Sequence, residues 1–115
     1  MDIKIIYGFI LFTAAQTLAW YQLNSQFVWK YWEDKAILSA IIFSIPVSLF
    51  FWFGTKNIYD SAEALWTCRF LGFTSGIFVF TILTWLHLNE SIFTLKTMLC
   101  LILSCAIMAI QVFIK

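Results

Sequence analysis

Apolar residues make up 63% of the 115-residue chain and charged residues 11%, with a formal net charge of +1 and a mean hydropathy of +0.91. A soluble domain is about half apolar and about a quarter charged, so this composition excludes one and describes a chain that lives in a bilayer. A charge this small also lacks the basic footprint of nucleic-acid binding. The ~30 Å hydrocarbon core takes roughly 20 residues per helix. The sequence therefore predicts an all-α integral membrane protein, a single four-transmembrane-helix bundle over residues 1–115 with short loops and no soluble domain.

The first predicted span runs from about Ile5 to Leu23, with Trp20 and Tyr21 suited to the headgroup level. Its N-terminal end reads as an uncleaved signal anchor, because cleavage would remove the span itself. Thr13, Gln16, Thr17 and Trp20 are spaced i, i+3, i+4, i+7 and form a polar and aromatic stripe. An amide in such a stripe either joins two membrane helices, for about 1 kcal/mol per contact, or lines a ligand cavity. Joining helices is the commoner use. Asn24 to Lys35 then mix Trp29, Tyr31 and Trp32 with Lys30, Glu33 and Asp34, as in an anchoring loop at the interface.

The second predicted span covers about Ala36 to Phe53. Pro46 interrupts it and removes the usual partner of the Ile42 carbonyl. Such a kink either opens a cavity or hinge or is simply tolerated by the surrounding helices. Gly54 to Ala62 is expected to be a polar turn, with Asp60 or Ser61 capping the next helix.

The third predicted span, about Ala62 to Leu88, carries Arg69 inside an apolar run. Gly72 and Gly76 follow on the same side of the helix. The guanidinium charge is permanent. One reading is that its stem snorkels to the phosphates, easing a cost of ~2.5–3.5 kcal/mol at a helix centre. The other places Arg69 and the glycine groove in a binding site. Glu63 lies on a different helical face and is not an intrahelical partner.

The fourth predicted span covers about Thr94 to Ile114. Ser104, together with the small pair Cys105 and Ala109, is a candidate for helix packing or a dimer seam, because small residues let backbones approach closely. Cys68, Cys100 and Cys105 all sit in apolar runs without a C-x-x-C motif, and read as buried, reduced packing groups. With His87 the only histidine, no catalytic residue, metal site or cofactor is expected, and the chain is not read as an enzyme. Lys4, Lys56 and Lys115 stand on one side against Lys30, Lys35 and Lys96 on the other. Arg69 tips this balance toward both termini being cytoplasmic. So slight a bias also permits insertion in both orientations, and hence an antiparallel dimer.

Three stretches carry a family likeness. They are QTLAWYQL (Gln16 to Leu23), the segment TKNIYDSAEAL before the third span, and the run from Gly76 through ILTWLHLNESI. On these the chain resembles the four-helix proteins of the drug/metabolite transporter superfamily, which include the small multidrug resistance exporters. It looks closest to that superfamily's uncharacterised small "DMT family protein" group. The resemblance implies a homodimer in a bacterial-type inner membrane with a substrate chamber between subunits. The small multidrug exporters place a proton- and cation-binding glutamate midway along the first helix. Here that stretch reads Phe12-Thr13-Ala14-Ala15-Gln16-Thr17, and the acids Asp2, Glu33, Asp34, Asp60, Glu63 and Glu90 all fall at ends or turns. Glutamine can neither exchange protons nor balance a cation. The expectation is a small transporter or half-transporter of a polar or anionic molecule, with Gln16, Trp20, Arg69, Gly72 and Gly76 as candidate ligand-binding residues. The alternative is a non-transporting assembly module whose glycine groove receives a partner helix and whose Arg69 meets lipid.

Overall fold

The structure is a computed structural model that describes residues 3–114; Asp2 and Lys115 lie outside the described residues. Four helices are long and apolar enough to cross a membrane. They are α1 (Ile3–Val28), α2 (Ala36–Ala62), α3 (Leu65–Leu88) and α4 (Leu95–Phe113), with one 3₁₀ turn at Lys30–Trp32. The chain is an all-α four-helix membrane bundle. Connections this short make successive helices antiparallel, so α1 and α3 run parallel.

The largest departure from expectation is Gly54 to Ala62, which is helix and not a turn. Lys56, Tyr59 and Asp60 are exposed, while Gly54 is buried and Ile58 is fully covered by the rest of the chain. Those two positions lie one helical turn apart, so packing on α1 holds the segment helical despite its composition. The turn shrinks to Glu63 and Ala64. Asp60 and Ser61 consequently sit in the last turn of α2, and Ala64 occupies the N-cap of α3 without a side-chain bond. Glu63 adopts a left-handed conformation, φ 57°, and donates its N–H to the Tyr59 carbonyl at 2.8 Å. That conformation costs an L-residue about 1–2 kcal/mol. Asn89, a residue that tolerates the same conformation, closes α3 with an N–H bond to Trp85. Thr94 caps α4 by accepting from the Thr97 N–H.

The bundle is wide and thin, with extents of 47 × 36 × 18 Å. α1 and α3 form its centre: within their most apolar stretches 22% and 28% of residues are buried, against 6% in both α2 and α4. Phe12, Ile58, Cys68 and Leu71 make the core. α2 is fastened to α1 at two levels. Near the start of α2 the Ser39 hydroxyl donates to the Gln22 carbonyl at 2.7 Å. Toward its end Gly54 meets Gly8 backbone to backbone: a Cβ at Gly8 would lie 2.9 Å from the Gly54 carbonyl oxygen and would collide with Ile58. Pro46 lies inside α2 between these two levels, and the helix continues through it.

The cysteines divide. Cys68 is buried, but Cys100 and Cys105 are exposed on α4 as free thiols, which corrects the expectation that all three are buried. The reason is that α4 packs chiefly on α3 and buries only Ser104.

The glycines should separate by sign. Gly8→Ala forces apart the α1–α2 contact, an overpacking that costs about 1–3 kcal/mol, and should lower the unfolding midpoint in detergent. At Gly72 a Cβ would rest 3.7 Å from the Phe12 ring, an ordinary contact. Gly72→Ala should therefore leave the midpoint unchanged or raise it, since glycine in a helix costs about 0.5–1 kcal/mol relative to alanine.

Candidate functional site

The polar stripe of α1 splits by the partners its members choose. Thr13 donates to the Phe9 carbonyl at 2.9 Å and Thr17 to the Thr13 carbonyl at 2.8 Å, so both hydroxyls are satisfied within their own helix. Gln16 and Trp20 instead cross to α3. The Gln16 amide donates from Nε2 to the Gly72 carbonyl at 3.1 Å, an oxygen that also accepts from the Ser75 hydroxyl at 2.9 Å. The amide lies flat over Gly76, where a Cβ would come within 2.9 Å of Nε2 and 3.0 Å of Cδ. Phe12 covers Gly72 one turn away. The glycine groove is thus occupied by α1 of the same chain, where the alternative reading places a partner helix.

Trp20 belongs elsewhere. Its indole N–H donates to the Thr84 hydroxyl at 3.0 Å, and its ring stacks on His87 with centroids 5.4 Å apart. Tyr21 Oη and His87 Nε2 share a hydrogen bond at 3.0 Å, and Trp29 covers both rings. Trp20 is 4% exposed and is walled off in this aromatic cluster.

The remaining candidates do converge. A cavity of about 380 Å³ opens between α1, α2 and α3, and its walls include Phe12 and Gln16, Thr55, and Cys68, Arg69 and Gly72. Arg69 is exposed and has no hydrogen-bond, ion-pair or ring partner among the described residues. Glu63 does not reach it. The Cys68 thiol donates to the Thr55 carbonyl at 3.6 Å and so ties the α2 wall to the α3 wall. The structure therefore brings Arg69, Gln16 and Gly72 around one space, sets Gly76 behind the Gln16 amide, and keeps Trp20 away. A permanent cation beside an amide and hydroxyl-bearing wall suits an anionic or polar guest. Among the described residues no three His, Cys, Asp or Glu side chains group closely enough to hold a metal ion.

On α4, Ser104 is buried and bonds the Cys100 carbonyl at 2.8 Å, while Cys105 and Ala109 are exposed on the outer surface. The Thr67 hydroxyl links α3 to α4 by donating to Gln111 Oε1 at 3.3 Å.

Compared with protein-family models, with curated proteins and with solved structures, the chain matches none. Its own geometry therefore carries the functional reading. Thr55 and Cys68 are cavity residues that sequence reasoning did not select. Thr55 sat in the supposed turn, and the signal for it was the helical spacing of Phe51, Thr55 and Ile58, which runs unbroken into that segment.

Gln16 and Gly76 should behave as a coupled pair. Gly76→Ala pushes the amide off Gly72, and Gln16→Leu removes the bond directly; interhelical hydrogen bonds average about 0.6 kcal/mol. Thermal unfolding of the two single variants and the double in detergent should show a coupling energy of at least about 0.5 kcal/mol. Additive losses would show that the contact carries no energy of its own.

Proposed function

We propose that this chain is a small transporter, or half of one, of the drug/metabolite type, acting as a homodimer on a small polar or anionic molecule. The observation that carries the reading is Arg69, a charge without a partner among the described residues, on the wall of a cavity shared by three helices. A volume of about 380 Å³ falls within the ~300–1,000 Å³ range of small-molecule sites. The absence of any acid from the body of α1 turns the reading away from proton-coupled export of cations. An even number of spans puts both termini on one side, together with Lys4, Lys56 and Arg69. We assign that side to the cytoplasm of a bacterial-type inner membrane. The near balance of basic residues supports an antiparallel pairing of copies.

A second reading, a non-transporting assembly module, draws on the outer helices. α2 and α4 are 6% buried in their apolar stretches, which leaves broad faces for lipid or for helices of a partner, with Cys105 and Ala109 on one of them.

The two readings separate at Arg69. In lipid nanodiscs, Arg69→Ala should weaken binding of small carboxylates and phosphates at least tenfold, while membrane insertion and oligomer size stay as in the wild type. Parallel loss of binding and assembly would assign Arg69 to structure and favour the module.

A further inference from the structure

The Arg69 cavity continues into a second space. A broad groove of about 780 Å³ runs along α2, lined by Val47, Phe51, Trp52, Lys56, Tyr59 and Leu65. It shares Phe51, Thr55 and Leu65 with the cavity, so the two form one continuous depression. We propose that the ligand of this site is an anionic lipid drawn sideways from the bilayer, with its phosphate between Arg69 and Lys56 and one acyl chain in the α2 groove. The proposal rests on the reading of the Arg69 cavity given above and specifies its substrate class.

Three features favour a lipid over a compact water-soluble anion. The first is the level of the two cations. Lys56 lies six residues before the end of α2 and Arg69 four residues after the start of α3. At 1.5 Å per residue they stand about 9 and 6 Å from the same turn, at closely similar depths. Neither has an ion-pair partner among the described residues; Lys56 Nζ lies 5.7 Å from the centre of the Trp52 ring and leaves its charge available to an anion. The second feature is the direction and length of the groove. From Tyr59 near the helix end to Val47 near its middle it extends about 18 Å, close to the ~15 Å depth of one leaflet's hydrocarbon. A small anion would leave this length unused. The third is access. Trp52 and Tyr59 are exposed at 61% and 46% on the outer surface of the bundle, so the groove opens toward surrounding lipid and its occupant need not cross water.

The test uses the full chain purified in detergent, with phosphatidylglycerol and phosphatidylcholine of equal chain length titrated in and retention read by native mass spectrometry. The wild type should retain phosphatidylglycerol at least tenfold more strongly than phosphatidylcholine. Lys56→Gln and Arg69→Gln should each reduce that preference severalfold and together abolish it. Lys96→Gln, at the opposite end of the bundle, should leave it intact. Equal retention of the two lipids by the wild type, or an unchanged preference in Lys56→Gln, would overturn the proposal. Free glycerol phosphate separates the sources of the anion. If it fails to displace the lipid at millimolar concentration, the lipid is the ligand. If it binds in an Arg69-dependent way that ignores Lys56 and expels the lipid, the lipid proposal falls while the Arg69 site stands. If neither probe binds, both readings fall together.

Discussion

The amide of Gln16, lying in the notch that Gly76 leaves and bonded to the Gly72 carbonyl, is the contact on which the rest of the bundle depends. Within a bilayer no hydrophobic force draws one apolar helix to another, because lipid tails are as apolar as leucine. Shape and hydrogen bonds must set the register. Once Gln16 fixes α1 against α3, Phe12 falls over Gly72, the Trp20 indole meets Thr84 and the Tyr21 hydroxyl meets His87. The same register leaves Arg69 facing the space that Phe12 and α2 do not fill. Cavity and seam are two consequences of one alignment. Gln16 accordingly serves both roles that a membrane amide can take, since it joins two helices and also contributes to a cavity wall.

The four spans were legible because hydrocarbon thickness demands apolar runs of about 20 residues, and nothing else in the chain competes with those runs. The end of α2 was not. Composition marked Gly54–Ala62 as a turn, yet two positions on one face, Gly54 and Ile58, outweigh the polar residues on the others. A window average cannot see a single buried face when that face is narrow. The stripe on α1 was legible as a set, but its division was not. Thr13 and Thr17 turn inward to their own helix, whereas Gln16 and Trp20 cross to α3, and only the position of α3 distinguishes them. Of the candidate site residues, Gln16, Arg69 and Gly72 meet at one cavity because they sit at matching heights on parallel helices. Trp20, one turn further along α1, meets α3 at Thr84, well past the level of the cavity.

The glycines show the same boundary. Gly72 and Gly76 announce themselves by lying one turn apart on a single helix. Gly8 and Gly54 are each solitary in sequence, and their pairing exists only where α1 crosses α2. That crossing is nevertheless the tighter one, since a methyl group on Gly8 meets backbone, whereas one on Gly76 meets the movable end of a glutamine. Spacing along a chain reveals small residues on one face; it is silent about which two faces will touch.

The fastening of α2 has a mechanical consequence. The helix is held near one end by the Ser39–Gln22 bond and toward the other by the Gly8–Gly54 contact, and Pro46 lies about midway between. A proline nitrogen carries no hydrogen, so the helical ladder lacks a rung there. A rod clamped at two points with a soft joint between them flexes at the joint and does not swing as a whole. The α2 groove begins at Val47, immediately beyond that joint. The soft joint therefore borders the groove at its Val47 end, where α2 is farthest from either clamp.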